Sequence, residues 1–462
     1  MNEKKDLVRG LSNFNIQLIA LGGAIGTGLF LGSSTAIKLA GPSILFAYII
    51  SGIAIFLFMR AMGEILLSDP GFQSIGDFVQ AFLGERWGFL IGWTYWLCWI
   101  TAALAEFTAI GIYIKYWFPE VPALVSGLVA LGFLMIINLS VVKTFGNLES
   151  VFSIIKILVI ILFVAFGIML VFQHKTYDTS THRQVTVSLS NLVDYGGLFP
   201  NGIKGFLLSF QMVLFGFAGI EMIGLTAGET KNEDKNLRLA INALPIRILL
   251  FYVGAIFVIL VLTPWNQMDP SQSPFVSAFN LVGIPAAAGV INFTILIASL
   301  SSSNTAVYST SRILYTSAKN KLLPKFFTHV SKKGVPSYSL IFSCVIFLIG
   351  LLANFIVPNA AQLFEMIASV TTLCFLFVWF TIVLSHLKYK KTQKAKESTF
   401  KMPFYPVSDI ILLVFFLSVG VLLFFNATTR VSVYIAPIWF GVLLVAFQII
   451  QKQKKKMEMQ QK

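Results

Sequence analysis

Long runs of apolar residues, separated by short polar segments, dominate the chain. Twelve such runs cover residues 16–39, 43–67, 87–114, 123–142, 151–172, 203–225, 240–263, 283–311, 337–357, 361–386, 408–426 and 432–450. A helix that crosses a bilayer needs roughly 20 predominantly apolar residues, and most of these runs have that length. The pattern therefore predicts an all-α polytopic membrane protein with twelve transmembrane helices.

The composition supports this class and excludes a soluble globular enzyme. The 462 residues are 56% hydrophobic and only 12% charged, which is far from the composition of soluble domains. The formal net charge of +14 raises the question of nucleic acid. However, the basic residues lie in alternate loops, at 4–9, 319–333, 388–401 and 452–456, which is the positive-inside pattern. We therefore expect a lipid bilayer and no nucleic acid as partner, and a multi-pass protein of the cell membrane with both termini in the cytoplasm.

The first apolar run contains four glycines within seven positions, at Gly22, Gly23, Gly26 and Gly28. Each costs about 1 kcal/mol against alanine in a helix interior, so the run favours a helix that opens near Gly26. An opened helix presents backbone N–H groups and the positive end of a dipole, which can bind a carboxylate. Two alternatives are small-residue packing between membrane helices and a phosphate loop, which no Lys-Ser/Thr pair supports.

The sixth run is also rich in glycine around FGFAGIE at 215–221. Two interrupted spans in corresponding positions indicate an inverted-repeat transporter with its site near the bilayer midplane. We therefore predict a 5+5 inverted repeat with broken helices one and six. Its segments are a cytoplasmic N-terminus at 1–15, a first repeat at 16–172, a second repeat at 203–386, two further helices at 408–450 and a basic tail at 451–462.

Charged residues inside membrane spans are expensive and are by default functional candidates. Glu106 lies in the third run, Lys156 in the fifth, Glu221 in the sixth and Glu365 near the start of the tenth. Lys156 could neutralise carbonyl dipoles at the first break and exchange a proton, or it could extend its ammonium to the cytoplasmic interface. Glu365 fits an interfacial position. A hydroxyl-rich run from Ser299 to Ser311 could line a water path or make ordinary interhelical hydrogen bonds.

Other polar residues are interpreted as structural. Arg60 and Glu64 are one helical turn apart and are expected to pair with each other. The four histidines, including His386, lie in or next to loops and are not candidates for a proton relay. The three cysteines fall inside apolar runs and are predicted to be buried free thiols.

Several motifs resemble those of amino acid permeases. They are QLIALGGAIGTGLF at 17–30, AGPS at 40–43, RAMGE at 60–64, GWTYW at 92–96, FAGIE at 217–221, AGET at 227–230, INALPIR at 241–247 and STSR at 309–312. Together they resemble the bacterial amino-acid-transporter branch of the amino acid–polyamine–organocation superfamily. SPFV at 273–276 and VGIPAAAGVINF at 282–293 resemble the transporters of D-serine, D-alanine and glycine. Glu106 is more similar to aromatic-amino-acid members, because Asp is expected there in the D-serine branch.

The resemblance implies a proton symporter that imports small neutral amino acids by alternating access. In this interpretation Ile25, Gly26, Thr27 and Gly28 bind the substrate carboxylate, and carbonyls near Phe215, Ala218 and Gly219 complete the ammonium site. Lys156 takes the place of a sodium ion, and Glu221 and Glu106 are further candidates for coupling. The free amino acid and the proton are the expected partners, and no cofactor or metal is expected.

Three other functions stay open from the sequence. A permease for proline, 4-aminobutyrate or aromatic amino acids belongs to the same branch. A channel is disfavoured because broken helices in an inverted repeat imply alternating access. A membrane enzyme is disfavoured because no nucleophile–base pair, metal cluster or phosphate loop is evident.

Overall fold

The computed structural model describes residues 26–69, 71–72, 74–140, 142–173, 176–178, 184–222, 233–281, 285–320, 323–331 and 334–460. Within these ranges, nine helices are long and apolar enough to cross a membrane, and two shorter apolar helices accompany them. The nine are Gly28–Leu66, Glu85–Ile114, Val151–Gln173, Asp234–Leu262, Ala286–Lys319, Ser337–Ile356, Ala360–Tyr389, Val407–Phe425 and Arg430–Gln453. The shorter two are Ala123–Leu139 and Gly202–Phe215. The chain is a polytopic helical membrane protein.

The first of the nine spans covers parts of the first two predicted runs. It consists of a π-helical turn, Gly28–Gly32, then α1, Ser33–Ala40, a 3₁₀ turn, Gly41–Ser43, and α2, Ile44–Leu66. Gly41 has a positive φ of 60°, which glycine adopts at no steric cost, and Pro42 follows it. Here the chain changes direction between α1 and α2.

Four helices complete the N-terminal half. They are α3, Ile75–Leu83; α4, Glu85–Ile114; α5, Ala123–Ser140; and α6, Val142–Gln173. A capping box fixes the start of α3, because the Ser74 hydroxyl accepts from Asp77 N–H while the Asp77 carboxylate accepts from Ser74 N–H. A short antiparallel hairpin of β1, Thr176–Asp178, and β2, Gln184–Thr186, follows α6.

The described part of the C-terminal half contains twelve further helices. In chain order they are α7, Gly202–Phe215; α8, Glu233–Asn242; α9, Leu244–Arg247; α10, Ala255–Leu262; α11, Pro274–Leu281; α12, Pro285–Lys319; α13, Ser337–Leu351; α14, Ala353–Ile356; α15, Ala360–Tyr389; α16, Gln393–Glu397; α17, Val407–Leu422; and α18, Arg430–Gln460. A π-helical stretch, Ile248–Gly254, joins α9 to α10. Short 3₁₀ turns lie at Leu189–Leu192, Trp265–Gln267, Lys325–Thr328 and Leu423–Phe425.

Helix α4 lies at the centre of the bundle. It packs against α12 and α15 on two sides and against α3 and α5 on others. Most of its residues are therefore buried, including Tyr95, Trp99 and Glu106. A polar side chain on this helix faces other protein rather than lipid, so α4 can carry the chemistry of a central site.

Helix α18 shows the opposite pattern. Its apolar side chains are widely exposed, and Ile438 at 68% and Val442 at 58% are examples. An exposed apolar face of this extent would be a liability in water and is normal against lipid tails. The surface therefore fits the predicted lipid bilayer.

An ionic cluster whose carboxylates and histidine are fully buried joins α2, α15 and α17. His386 Nδ1 lies 2.8 Å from Asp409 Oδ2, and His386 Nε2 lies 3.1 Å from Glu64 Oε2. Lys390 Nζ donates to Glu64 Oε1 at 2.9 Å, and Met402 N–H donates to Glu64 Oε2 at 2.8 Å. His386 lies in the last turn of α15, next to a loop as the sequence predicts, but its two carboxylate neighbours were not predicted. The sequence places His386 near the end of a span, but it does not show that the following segment folds back and covers this side chain.

Arg60 and Glu64 do not form the direct pair that the sequence predicts, although their charges interact. Arg60 donates instead to Asn242 Oδ1 at 3.3 Å and to the Lys401 carbonyl, and its guanidinium stacks 3.7 Å from the Phe400 ring centroid. Glu64 points into the cluster around His386, so each side chain has its own partners. The prediction that Cys98, Cys344 and Cys374 are buried free thiols is confirmed.

Candidate functional site

The described part of the first span begins at Gly26 with an irregular turn. Leu29 N–H and Phe30 N–H both donate to the Gly26 carbonyl, at 3.1 and 3.2 Å. The chain then runs as a π-helical turn before regular α1 begins at Ser33. Ile25, predicted to bind substrate, lies outside the described residues. Gly26, Thr27 and Gly28 therefore form the N-terminal end of a membrane helix, where N–H groups and the positive dipole end face away from the helix.

The sixth run is interrupted within the membrane. Helix α7 ends at Phe215, and residues 216–221 follow as consecutive turns rather than as helix. Gly219 has a φ of 87°, a conformation that favours glycine. Tyr252 OH donates to the Gly216 carbonyl at 2.9 Å, which satisfies one carbonyl that the interruption leaves without a helical partner.

The two irregular segments touch each other at glycines. A Cβ added to Gly28 would lie 2.5 Å from Gly216 Cα and 3.0 Å from the Phe215 carbonyl oxygen. No side chain fits between these backbones, so the contact requires glycine at position 28. Gly26 faces side chains instead, because a Cβ added there would lie 2.8 Å from Glu106 Oε1 and 3.3 Å from Ser302 Oγ.

A small cavity lies where these segments meet. It encloses about 50 Å³ and is lined by Gly26, Gly28, Trp99, Ala102, Glu106, Phe215, Gly216, Ala218, Ser302, Thr305 and Ala306. One water needs about 10–15 Å³ on this measure, so the cavity has room for roughly three to five water-sized groups. Four of the predicted substrate-binding residues, Gly26, Gly28, Phe215 and Ala218, line it together.

Glu106 connects α4 to the first break. Its Oε1 accepts a hydrogen bond from Thr27 N–H at 3.2 Å, and both residues are buried. The hydroxyls of Thr27 and Ser299 lie beside the same carboxylate. A carboxylate thus binds one of the N–H groups that the sequence assigned to the substrate.

Lys156 is completely buried in α6. The alternative in which its ammonium extends to the interface is therefore excluded. Its charge lies within electrostatic range of the Glu106 carboxylate, the group that accepts from Thr27 N–H. The coupling role of Lys156 stays a prediction.

Glu221 lies apart from the cavity. Tyr95 OH donates to its Oε1 and Trp379 Nε1 donates to its Oε2, each at 3.1 Å. Tyr95 precedes Glu106 by eleven positions on α4, which corresponds to about 16 Å along a helix. Gly219 also lies outside the cavity lining, and a Cβ added to it would lie 3.0 Å from the Trp99 ring. Glu221 and Gly219 therefore lie outside the cavity lining, with Gly219 next to Trp99.

The hydroxyl-rich run on α12 serves several purposes. Asn304 accepts an interhelical hydrogen bond from Asn138 at 2.8 Å, and Thr310 and Ser311 donate to carbonyls of their own helix. Ser302 and Thr305 line the cavity. Interhelical bonding thus occurs at Asn304, and two hydroxyl residues of the run lie at the cavity. A water path along the run stays a prediction.

Sequence reasoning missed the contribution of Trp99, Ala102, Gly216 and Ala306 to the cavity. The signal was available for α4, because Trp99, Ala102 and Glu106 follow the three-and-four spacing of one helix face. No group of three or more metal-ligating side chains is placed to hold a metal ion in the described ranges.

Comparison with known proteins yields one family and close relatives. A family model described as amino acid permease matches residues 15–460. The chain is 47% identical over 458 residues to the amino-acid permease AapA of Bacillus subtilis, covering 99% of this chain and 98% of the relative. It is 43% identical over 453 residues to the D-serine/D-alanine/glycine transporter of Escherichia coli, covering 98% and 96%. It is 40% identical over 447 residues to a probable threonine/serine transporter, YbxG, of Bacillus subtilis, covering 96% and 95%.

Proposed function

The chain belongs to the amino acid permease family, and from this premise we propose that it imports small neutral amino acids by proton symport. The substrates are alanine, glycine and serine, including D-enantiomers. The observation that carries this proposal is the small cavity at the junction of two interrupted membrane segments. A relative at 43% identity is a D-serine/D-alanine/glycine transporter, which supports the same substrate class.

The proposed architecture has twelve membrane spans, with ten of them in a 5+5 inverted repeat. It is supported by helices at each apolar run and by irregular backbone at the first and sixth runs. Irregular backbone at membrane depth is tolerated where it lines a cavity, and these two segments do so. The cavity would open alternately to the two sides as one repeat moves against the other.

The backbone supplies the groups that hold an amino acid. In our proposal the N-terminal end at Gly26, Thr27 and Gly28, with Ile25 before it, binds the substrate carboxylate. Carbonyls at Phe215 and Ala218 bind the ammonium, and Gly219 shapes the turn that exposes them. This division of charge follows from the positive and negative ends of interrupted helices.

Proton coupling follows from competition for Thr27 N–H. When Glu106 is ionised, it binds this N–H and its charge repels a second carboxylate. When Glu106 carries a proton, the repulsion disappears and the substrate carboxylate can take the N–H. Protonation and substrate binding then favour each other, and such a coupling is reciprocal. Lys156 tunes this equilibrium through its charge, and Glu221 is a second proton-carrying candidate outside the cavity lining.

The alternative function is a permease for proline, 4-aminobutyrate or aromatic amino acids. Glu106 resembles the aromatic-amino-acid members at that position. The cavity argues for smaller substrates, because room for a few water-sized groups is closer to the size of glycine or alanine than to that of an amino acid with an indole or phenol ring. Trp99 and Phe215 already occupy the space into which a large side chain would extend.

The membrane orientation is a further part of the proposal. Lysine-rich segments at 319–333, 388–401 and 452–456 support cytoplasmic termini in the cell membrane. A fluorescent protein that matures only in the cytoplasm, fused to the C-terminus, should fluoresce in intact cells. A dark fusion at normal protein levels would reverse the orientation.

The test of the transport function is uptake in proteoliposomes that contain the purified protein. We expect labelled alanine to accumulate inside the liposomes when the outside is acidic. A protonophore should abolish this accumulation, and a sodium gradient should have no effect on it. Protein-free liposomes are the control. Accumulation that follows sodium and survives the protonophore would overturn proton symport. A competition panel of D- and L-amino acids with proline, 4-aminobutyrate and phenylalanine would decide between the substrate classes.

A further inference from the structure

Two hydroxyl groups of α12 line the cavity. Ser302 and Thr305 are three positions apart and so share one face of the helix. Neither hydroxyl oxygen is exposed, and neither has a hydrogen-bond partner in the described part of the chain. Ser302 Oγ lies close to the backbone of Gly26, at the N-terminal end proposed to bind the substrate carboxylate.

Three other hydroxyls on the same helix have ordinary partners, whereas those of Ser299, Ser303 and Ser309 are buried without a partner among the described residues but do not line the cavity. Thr294 donates to the Val290 carbonyl at 3.0 Å, Thr310 to Val307 at 3.0 Å and Ser311 to Tyr308 at 2.7 Å. Bonding to a carbonyl three or four residues back is the usual state of a helical Ser or Thr. Ser302 and Thr305 do not adopt it. Their oxygens remain available at the wall of a buried space, where an unpaired polar group carries a free-energy cost.

We propose that Ser302 and Thr305 form a subsite for a hydroxyl group on the substrate side chain, so that the transporter prefers serine to alanine. This inference rests on the proposed function and narrows its substrate class. The carboxylate and ammonium of the substrate are held by backbone groups, so these two side-chain hydroxyls are left to meet the substrate side chain. A serine hydroxyl donates one hydrogen bond and accepts others, and it can therefore pair with both.

The cavity limits how large that side chain can be. Ala102 and Ala306 form its apolar wall, and Trp99 and Phe215 restrict its extent. Beyond its Cβ, serine places a single oxygen atom at this wall, whereas asparagine places a whole carboxamide group there and glutamine is longer still. Alanine leaves both hydroxyls unpaired.

The test combines a change in the substrate with a change in the protein. Uptake of labelled glycine into proteoliposomes is inhibited with unlabelled serine or alanine, each as both enantiomers, and the half-inhibiting concentrations are compared. For the wild type we expect serine to inhibit at about tenfold lower concentration than alanine, the effect of one satisfied buried hydrogen bond. Thr305→Val keeps the shape of the side chain, and Ser302→Ala removes only the oxygen. Each should bring the serine-to-alanine ratio close to one while alanine inhibition changes by less than about twofold.

Ser309→Ala is the matched control. Ser309 also has a buried hydroxyl with no partner among the described residues, but it is not part of the cavity lining, so its removal should leave the ratio unchanged. The inference is overturned if wild-type protein binds alanine as well as serine, or if the serine preference survives in both Thr305→Val and Ser302→Ala. Failure of glycine, serine and alanine to enter at all would overturn the proposed function itself. If one variant does not fold, the serine-to-alanine ratio of the wild type and that of the other variant still test the subsite.

Discussion

Thr27 and Glu106, 79 positions apart in the chain, are joined by a buried hydrogen bond of 3.2 Å from a main-chain N–H to a carboxylate oxygen. This bond places a protein carboxylate where the substrate carboxylate is proposed to bind. The two carboxylates cannot both accept from the same N–H, so Glu106 competes with the substrate for this group.

Glu106→Gln should remove the pH dependence of substrate binding. The amide has the size of the acid but no charge, so the side chain resembles a permanently protonated glutamate and does not repel the substrate carboxylate. For the wild type we expect affinity to rise as pH falls, because protonation removes the competing charge. The variant should bind tightly at every pH, exchange substrate across the membrane, and fail to accumulate it against a gradient.

Binding measured across a pH series, together with counterflow exchange, checks this prediction. Glu365→Gln is the control, since Glu365 is a second carboxylate in a membrane helix but bonds to Asn426 away from the cavity. A Glu106→Gln protein with wild-type pH dependence would assign the proton to another group, with Glu221 as the next candidate.

Gly28→Ala should damage binding more than Gly26→Ala. The methyl group at position 28 would meet the backbone of Gly216, which cannot move without separating the two segments. Overpacking of this kind costs about 1–3 kcal/mol, and here it also opens the cavity. The methyl group at position 26 meets the end of the Glu106 side chain, which can rotate away. Larger substitutions, such as Gly28→Val or Gly26→Val, should abolish binding.

The control for both glycines is Gly132→Ala, because a Cβ at Gly132 meets open space on α5. Substrate affinity of the purified variants is the measurement. Wild-type affinity in Gly28→Ala would show that the close contact with Gly216 is not needed for the site.

The interruption of both runs could be predicted from the sequence because glycine clusters disfavour a continuous helix. Lys156 and Glu106 could be identified as candidates because a charged residue inside an apolar run is energetically costly and is usually functional. The contact between Gly28 and Gly216 could not be predicted, since it depends on how two distant segments cross. The same limit applies to the acidic neighbours of His386. Hydropathy placed it near a span end, and only the packing of α17 and the 390–402 segment shows that it is buried between two acids.

Lys156→Met should lose concentrative uptake while some substrate binding or exchange remains. The substitution keeps the apolar stem of a fully buried side chain and removes the charge that acts on Glu106. Lys156→Arg should fail as well, because guanidinium stays charged and has a different donor geometry. Lys388→Met, a change at an exposed lysine of α15, is the control. The measurement is gradient-driven accumulation, compared with counterflow exchange for each variant. Normal accumulation by the Met variant would show that Lys156 has no part in the mechanism.

The ionic cluster around His386 should act on stability rather than on substrate affinity. His386→Gln leaves Glu64 and Asp409 buried with one positive partner fewer, and breaking a buried ion pair by removing one member costs about 3–5 kcal/mol. Asp234→Asn is the matched control, because Asp234 pairs with Arg238 at the surface, where such pairs contribute about 0–1 kcal/mol. Thermal unfolding of the purified proteins in detergent should therefore show a melting temperature lowered by several degrees for His386→Gln and nearly unchanged for Asp234→Asn.

The cluster shares no residue with the cavity, so substrate affinity below the melting temperature should match the wild type. A His386→Gln protein that melts normally but binds substrate weakly would instead connect the cluster to the transport site.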